Sequence, residues 1–413
     1  MQHIGIVGGG IIGLSSAYYL RKAGYAVTIF DQTALADGCS YGNAGMIVPS
    51  HIVPLAQPGM IAKGLRWMLQ PTSPFYVKPR LNADLLRWGW LFYKHSTNEH
   101  VQYAIPALRD ISLLSKTMYQ QMAKTLDFGW HERGLLMLYQ TAAAEHELQH
   151  EADLANQSGI AARMLDQKQV QALEPDAEVT VHGAVYYPGD AHVTPRLVME
   201  TLIADLKSKG VQFLENHRVE GFEMNGFRVT AIRAGGEQYP VDEVVIAGGA
   251  WSPEVVKSLQ LNLPLQGGKG YSFLLKDQSP QVRVPAIMLE ARATATPMGQ
   301  DLRIAGTMEI NGTDLSVNMK RVQGISQSIQ RYYPGIRVDL PAREVVWKGL
   351  RPCSPDGLPY IGRIPAYQNV TLATGHGMMG LSLGPGTGKL VSEIIRGQSL
   401  SMDIAAFHPS RFQ

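Results

Sequence analysis

Three glycines and an aspartate near the start of the chain have the spacing of a dinucleotide-binding site. Gly8-x-Gly10-x-x-Gly13 follows the apolar run at residues 4–7, and Asp31 closes a second apolar run, 23 residues after Gly8. Such glycines allow a tight turn, close approach of the backbone to a pyrophosphate, and packing of the next helix on the strand. The acid can accept hydrogen bonds from the ribose hydroxyls. The pattern predicts dinucleotide binding; a structural glycine turn is the alternative.

Three histidines stand in loops from which they could contact a small substrate. His51 lies in SHIVPLAQPG, His192 in GDAHVTP and His376 in TGHGMM. Each could bind an amine or gate a site, and each context also suits a structural histidine. No His, Cys, Asp and Glu residues have metal-ligand spacing, so we expect no metal. The two cysteines, Cys39 and Cys353, are far apart, which favours a reduced, cytoplasmic setting.

The elements that must position these residues mix helices and strands. Two apolar strands, at 244–246 and 370–374, run into the small-residue segments AGGAW and GHGMM. Both resemble central strands of an open sheet that end where a ligand would lie. The alternative is that they are two ordinary strand–loop turns, which would have the same sequence pattern. Helices are expected at 104–125, 143–158 and 193–209, a run of strands at 211–246, and a mostly antiparallel sheet at 265–350, interrupted by a helix at about 315–332.

This order predicts an α/β fold made of two discontinuous domains. We expect a nucleotide-binding domain from residues 1–50, 191–263 and 349–413. The remaining residues, 51–190 and 264–348, would form a substrate domain of α+β type built on the mostly antiparallel sheet.

Composition excludes several classes of function. The 413 residues are 45% hydrophobic and 17% charged, with a net charge of +2, so global disorder and a basic nucleic-acid surface are not expected. No run of 18 apolar residues indicates a membrane span. Residues 60–93 mix aromatic and basic side chains, which suits either shallow contact with a membrane surface or a cover on the protein's own core. The apolar members are Leu65, Trp67, Met68, Leu69, Phe75, Tyr76, Trp88, Trp90, Phe92 and Tyr93.

Five stretches across the chain resemble the D-amino-acid oxidase superfamily of FAD-dependent oxidoreductases. They are GGGIIGLSSAYYL, CSYGNAGMIVPS, VVIAGGAW, WKGLRPCSPDGLPYIGR and TGHGMMGLSLGPGTG, in the superfamily's order. The chain looks most like the group of bacterial D-amino-acid dehydrogenase small subunits and D-hydroxyproline dehydrogenases. The resemblance implies a Rossmann-type, glutathione-reductase-like domain that binds FAD, with the substrate domain inserted into it.

The resemblance also implies which residues contact FAD. The ADP half would lie on the glycine turn and Asp31, and the flavin would lie along the 43–45 loop and the 377–380 segment. The implied set is Gly8, Gly10, Ile12, Gly13, Asp31, Gln32, Ser40, Asn43, Ala44, Gly45, Met46, Val219, Ala247, Gly248, Trp251, Gly377, Met378, Met379 and Gly380. Covalent attachment is not expected, because the cysteine used by some relatives aligns near Gly349 and not with Cys353.

For the substrate, the resemblance points to Arg351 as the group that clamps a carboxylate, since a guanidinium matches a carboxylate with two parallel hydrogen bonds. A structural salt bridge is the alternative for Arg351. Tyr271 is a second candidate for the carboxylate, with a buried core tyrosine as its alternative. His51 completes the expected catalytic set.

The implied reaction is oxidation of a D-amino or cyclic D-imino acid, with hydride transfer from Cα to flavin N5 and electrons passed to a quinone or another acceptor. The rival functions are an oxidase that forms peroxide from glycine, sarcosine or D-amino acids, a non-catalytic flavin electron-transfer subunit, and an NAD-dependent dehydrogenase. The resemblance leaves peripheral contact with the inner face of the cell membrane open. The sequence gives no oligomeric state.

Overall fold

The computed structural model describes residues 1–68, 75–78, 80, 82–278 and 281–412. Its strands are β1 His3–Val7, β2 Ala26–Phe30, β3 Met46–Ile47, β4 Phe75–Val77, β5 Leu135–Tyr139, β6 Arg163–Asp166, β7 Gly183–Tyr187, β8 Ala191–His192, β9 Gln212–Leu214, β10 Val219–Asn225, β11 Arg228–Ala234, β12 Glu237–Pro240, β13 Glu243–Ile246, β14 Gln266–Leu275, β15 Ala286–Met288, β16 Ala293–Met298, β17 Asp301–Ile310, β18 Trp347–Cys353, β19 Tyr360–Arg363 and β20 Val370–Thr374. Its helices are α1 Ile11–Lys22, α2 Met60–Met68, α3 Ala83–His95, α4 Asn98–Met122, α5 Ala142–Gln157, α6 Gln167–Leu173, α7 Pro195–Ser208, α8 Ser252–Lys257, α9 Met319–Tyr332 and α10 Gly380–Arg396.

A six-stranded sheet in the order β19–β20–β13–β1–β2–β9 forms the first layer. The pairs from β20 to β9 are parallel, and only the edge strand β19 runs antiparallel. Val7 at the end of β1 pairs with both Phe30 of β2 and Ile246 of β13. The three central strands therefore end at one level, where an open parallel sheet places its ligand.

Two glycines allow α1 to lie close to its neighbours. A Cβ atom on Gly13 would lie 1.9 Å from the carbonyl oxygen of Gly8, and one on Gly388 would lie 2.4 Å from the backbone carbon of Ser15. Contacts this short are not open to any side chain, so glycine is required where α1 packs against the β1 turn and where α10 packs on α1. The glycine turn is thus held between a strand and two helices.

The second layer is a sheet in the order β18–β14–β17–β16–β15–β5–β7–β6, and β4 adds to β17. The neighbours are antiparallel except for β15 with β5 and β17 with β4. The buried residues Val322, Ile325 and Ile329 of α9 recur at helical spacing and belong to the core cluster of this sheet. A third, three-stranded sheet is formed by β10–β11–β12.

The expected elements are present, with some boundaries shifted. The helix expected at 315–332 begins at Met319, and the one expected at 104–125 begins at Asn98. Strand β18 pairs with β14 over its whole length, so the domain boundary expected at residue 349 falls inside a strand of the second sheet. Arg351 therefore lies on the second sheet. Strands β3 and β8 pair only with each other and form a separate two-stranded sheet.

Candidate active site

The ends of β1 and β2 form the first wall of the site. Gly8, with φ +108°, turns the chain away from β1, and Asp31 Oδ2 accepts a hydrogen bond of 2.7 Å from the backbone N–H of Gly9. The other oxygen of Asp31 accepts from the N–H and hydroxyl of Thr33. Because a carboxylate has about four lone-pair positions, Asp31 can also accept from a ribose. This arrangement keeps the acid beside the glycine turn.

Two helix N-termini meet the same cavity. The N-cap residue of α1 is Gly10 and that of α10 is Met379, and neither makes a capping hydrogen bond through a side chain. At α1, Ser40 Oγ accepts a hydrogen bond of 3.1 Å from the backbone N–H of Ile11. Helix α10 begins at Gly380. Uncapped N–H groups and the positive ends of the helix dipoles suit an anionic ligand. A pyrophosphate at α1 and a second electron-rich group at α10 both fit.

One cavity of about 720 Å³ connects these groups with the second sheet. It is lined by every residue that the sequence assigns to the site except Gly13, which packs against Gly8, and Gly45. Gly45 has φ +81° and donates its N–H to Asn43 Oδ1 at 2.9 Å, so it shapes the 43–45 loop. The structure thus brings the glycine turn, this loop, the 377–380 segment and Arg351 together.

Arg351 reaches this cavity from β18. Its Nη1 donates to the carbonyl oxygen of Thr307 at 2.7 Å, and the guanidinium lies over Gly270, where a Cβ atom would meet Nη1 at 2.2 Å. Among the described residues no acidic side chain forms an ion pair with Arg351, and burial lowers its pKa. The alternative of a structural salt bridge therefore finds no support in the described chain. A partly buried cation with donors to spare suits a carboxylate ligand.

Tyr271 is turned away from Arg351. Side chains alternate along β14, so Lys269 and Tyr271 share the face opposite Gly268 and Gly270. The Tyr271 hydroxyl donates to Glu309 Oε1 at 2.8 Å and accepts from a backbone N–H, and its ring is only 1% exposed. Burial, together with the neighbouring carboxylate, raises its pKa. Although Tyr271 borders the cavity, its hydroxyl is engaged in the core of the second sheet, and its contacts match the buried-core alternative.

The three histidines have different surroundings. His51 lines the cavity, and its Nδ1 lies 3.2 Å from Ser50 Oγ. His376 also lines the cavity, but its Nε2 bonds to Thr387 Oγ1 at 2.9 Å. His192 does not line the cavity, and its ring packs 5.1 Å from that of His131. Burial lowers the pKa of His51 to about 4 and those of His192 and His376 to about 3, so all three are neutral at physiological pH.

The cysteines differ as well. Cys353 is buried, and desolvation raises its pKa to about 11. Cys39 is partly exposed at the cavity and accepts a hydrogen bond from Leu350 N at 3.3 Å. In the described ranges no cluster of three or more His, Cys, Asp or Glu residues could hold a metal ion.

Several lining residues carry no signal in the sequence. Met137, Tyr187 and Ile287 give an apolar stretch of wall, and Glu151 and Arg292 add charge. They come from β5, β7, β15, α5 and a turn, which are far apart in the chain. Burial raises the pKa of Glu151. Only the pairing of these strands in one sheet reveals that they meet.

The segment at 60–93 combines buried and exposed side chains. Trp88 is buried and donates to the carbonyl oxygen of Cys353 at 2.9 Å, whereas Leu86, Trp90 and Tyr93 are 65%, 57% and 61% exposed. Leu69 and the side chains of Leu65, Trp67 and Met68 lie outside the described part of the chain. Helix α3 therefore covers the core with one face and exposes an aromatic face with the other. In the described residues no helix has an apolar stretch that could cross a bilayer.

Comparison with known proteins places these features in a family. The family described as FAD dependent oxidoreductase (DAO) matches residues 3–394. A D-amino acid dehydrogenase of Granulibacter bethesdensis is 32% identical, over 98% of this chain and 99% of its own. A D-amino acid dehydrogenase of Helicobacter pylori is 28% identical, over 95% of this chain and 94% of its own.

Solved structures share the fold. Glycine oxidase from Geobacillus kaustophilus has a TM-score of 0.77 at 23% identity, over 100% of both chains. L-Proline dehydrogenase from P. horikoshii has a TM-score of 0.78 at 18% identity, over 100% of this chain and 97% of that one. These two proteins therefore share the α/β architecture of this chain, with a Rossmann-type layer and a second, mostly antiparallel layer.

Proposed function

This chain belongs to the FAD dependent oxidoreductase family, and we propose that it oxidises a D-amino acid or a cyclic D-imino acid. The family assignment makes FAD its cofactor. The relatives named D-amino acid dehydrogenase, aligned over nearly the whole chain, support the substrate class. The observation that carries the proposal is the guanidinium of Arg351, which borders the cavity without an acidic partner in the described residues.

Residues at the ends of β1 and β2 would hold the ADP half of FAD without a covalent bond. The N–H groups at the start of α1 would bind the pyrophosphate, and Asp31 would accept from the ribose. The uncapped start of α10 would meet the flavin and favour negative charge there. FAD supplies the two-electron oxidation, and the protein supplies orientation and exclusion of water.

Arg351 and His51 would orient the substrate. The guanidinium would bind the carboxylate through two charge-assisted hydrogen bonds, and the neutral imidazole of His51 would meet the amino group. The apolar wall at Met137, Tyr187 and Ile287 would exclude water from the substrate's side chain. Tyr271 has no part in this arrangement, because its hydroxyl bonds to Glu309.

The electron acceptor that we propose is a quinone, reached at the inner face of the cell membrane by peripheral contact. The support is the exposed apolar face of α3, which includes Leu86, Trp90 and Tyr93. Lys94 Nζ lies 5.2 Å from the Trp90 ring, and such a combination of aromatic and basic groups suits a membrane surface.

Anaerobic bleaching of the bound flavin tests the reaction and the acceptor together. Purified protein is mixed with D- and L-amino acids, D-proline, cis-4-hydroxy-D-proline, glycine and sarcosine, and air is then admitted. Bleaching by D-substrates with slow recovery in air supports a quinone-linked dehydrogenase. Fast recovery with formation of peroxide identifies an oxidase instead.

The variant Arg351→Ala is the control for the site, and Arg351→Lys separates charge from the paired geometry. Both should retain FAD, and both should bleach more slowly, the alanine variant more so. A flavin that no panel member bleaches would point to an electron-transfer subunit.

A further inference from the structure

We propose that Asp190 and Ser50 act as positioning residues that fix the tautomer of His51, so that Nε2 accepts a hydrogen bond from the substrate's amino group. The inference rests on the proposed function and extends it to two residues outside the expected catalytic set. The three side chains form a chain of hydrogen bonds that runs from the buried carboxylate to the cavity.

The direction of these hydrogen bonds follows from the donors that are available. Ser50 Oγ donates to Asp190 Oδ2 at 2.5 Å, and the backbone N–H of Ser50 donates to Oδ1 at 3.1 Å. An ionised carboxylate only accepts, so the hydroxyl hydrogen of Ser50 must point at Asp190. Ser50 Oγ then has only lone pairs for His51 Nδ1, at 3.2 Å, and this nitrogen must carry the ring proton. Nε2 is left with a lone pair.

The fold brings the three residues together through the small sheet β3–β8. Ile47 pairs with Ala191, so Asp190, which precedes β8, lies beside the chain that leaves β3 toward Ser50. Asp190 is 1% exposed and Ser50 is 8% exposed. A carboxylate this deep in the protein needs partners, and the two donors that hold it belong to the residue next to His51.

The imidazole of His51, whose Nε2 is left with a lone pair, belongs to a residue of the cavity wall. The ring borders the cavity that Arg351 also borders, and within the described chain no hydrogen bond is formed by Nε2. Because burial lowers the pKa of His51 to about 4, the ring is neutral at physiological pH and keeps its lone pair. Arg351 and His51 can then hold the carboxylate and the amino group of one α-amino acid.

The hydrogen-bond chain should depend on pH through Asp190. Burial raises the pKa of Asp190 to about 7, against the hydrogen bonds from Ser50 and the charge of Lys116, which lower it. Tyr187 also interacts with Asp190, and its own pKa is raised by burial and by the charges of Glu151 and Asp190. Above pH 7 the ionised carboxylate fixes the chain. Below pH 7, the protonated carboxyl group can donate to Ser50 Oγ, and the direction of both hydrogen bonds in the chain is then reversed.

The variant Asp190→Asn should reverse the polarity at every pH. The backbone N–H of Ser50 can only donate, so the new amide must turn its oxygen there and direct its NH₂ group at Ser50 Oγ. The hydroxyl then donates to Nδ1 and moves the ring proton of His51 to Nε2. The same substitution has this effect on the histidine of a Ser-His-Asp triad. Ser50→Ala cuts the chain, and Ser50→Thr keeps the hydroxyl as a conservative control.

The holoenzyme and its variants are compared in anaerobic flavin reduction by D-alanine between pH 5 and 9 (roughly the range over which imidazole and perturbed carboxyl groups titrate). For Asp190→Asn and Ser50→Ala we expect the second-order rate constant to fall about 10- to 100-fold, the loss of one hydrogen bond to a charged group. In the wild type the rate constant should rise as Asp190 ionises near pH 7. This rise should be absent from Asp190→Asn and Ser50→Ala and present in Ser50→Thr. Propionate, which lacks the amino group, should bind to all of them with unchanged affinity, as measured from the flavin spectrum.

An unchanged rate and pH profile in both variants would overturn the inference, and so would equal weakening of D-alanine and propionate, which indicates structural damage. The tautomer is also observable without turnover, by ¹⁵N NMR of labelled histidine, with His51→Gln used to assign the signal. Nδ1–H in the wild type and Nε2–H in Asp190→Asn are expected, and the same tautomer in both refutes the inference. A wild-type flavin that D-alanine does not reduce counts against the proposed function instead, while the NMR result still decides the role of Asp190.

Discussion

The variant Gly270→Ala tests the carboxylate clamp while leaving Arg351 in place. The added Cβ would lie 2.2 Å from Nη1 and 2.4 Å from Nη2 of Arg351. Moving Nη1 from 2.2 Å to the 3.4 Å of an ordinary contact shifts the guanidinium by about 1.2 Å. It also strains the 2.7 Å hydrogen bond to the carbonyl of Thr307. A misplacement of about 1 Å at a reacting centre costs on the order of 100-fold in rate, or about 2.7 kcal/mol.

We therefore expect the rate constant for flavin reduction by a D-amino acid to fall about 100-fold, with full FAD content. Gly268→Ala is the matched control, since it adds the same methyl group on the same face of β14 but against Cys353 Sγ, at 3.0 Å. It should cost much less. In the Arg351→Ala background, Gly270→Ala should have almost no further effect, because the two changes act on one interaction. A full additive loss in the double variant, or wild-type activity of Gly270→Ala, would refute the reasoning.

Three other changes test the layers that support the site. Gly13→Ala places a Cβ 1.9 Å from the Gly8 carbonyl, so we expect loss of FAD and destabilisation by about 1–3 kcal/mol, measured by flavin release and urea unfolding. Arg411→Ala leaves the buried Asp356 without its 2.7 Å ion pair and should lower the free energy of unfolding by about 3–5 kcal/mol, with Arg411→Lys in between; a change below 1 kcal/mol (roughly the worth of a surface pair) would contradict this. Trp90→Ser should weaken flotation with anionic vesicles without slowing flavin reduction; flotation that is equal in both proteins would exclude this face as the contact.

The nucleotide-binding layer could be predicted from the sequence because its signals are local. The glycine turn, α1 and Asp31 all lie within the first 31 residues, and each carries a conformational or chemical requirement that only a few residue types meet. The same holds for the start of α10, which follows β20 after the short segment 375–379. Short-range geometry sufficed there, since neighbouring residues in the chain are also neighbours in space.

The second layer was harder to predict because its contacts join distant segments. The antiparallel sheet was expected to end at about residue 350, but strand 347–353 joins that sheet through pairing with β14, more than 70 residues upstream. The orientation of Tyr271 is likewise a matter of register: one residue along β14 turns a side chain from the cavity to the core. No spacing within the GGKGYSF segment contains that information, so the hydroxyl could not be placed.

The same reasoning explains why the proposed substrate contacts come from segments that are far apart in the chain. Arg351 is held by a strand of the second sheet, and His51 follows β3, which pairs with β8 in a separate two-stranded sheet. In the proposed arrangement, the position of an amino acid held at both ends depends on how these segments are joined. Asp190 joins β8 to the segment that follows β3, because its carboxylate accepts both the N–H and the hydroxyl of Ser50. Burying the charge of Asp190 is unfavourable, and we infer that the carboxylate serves to orient His51.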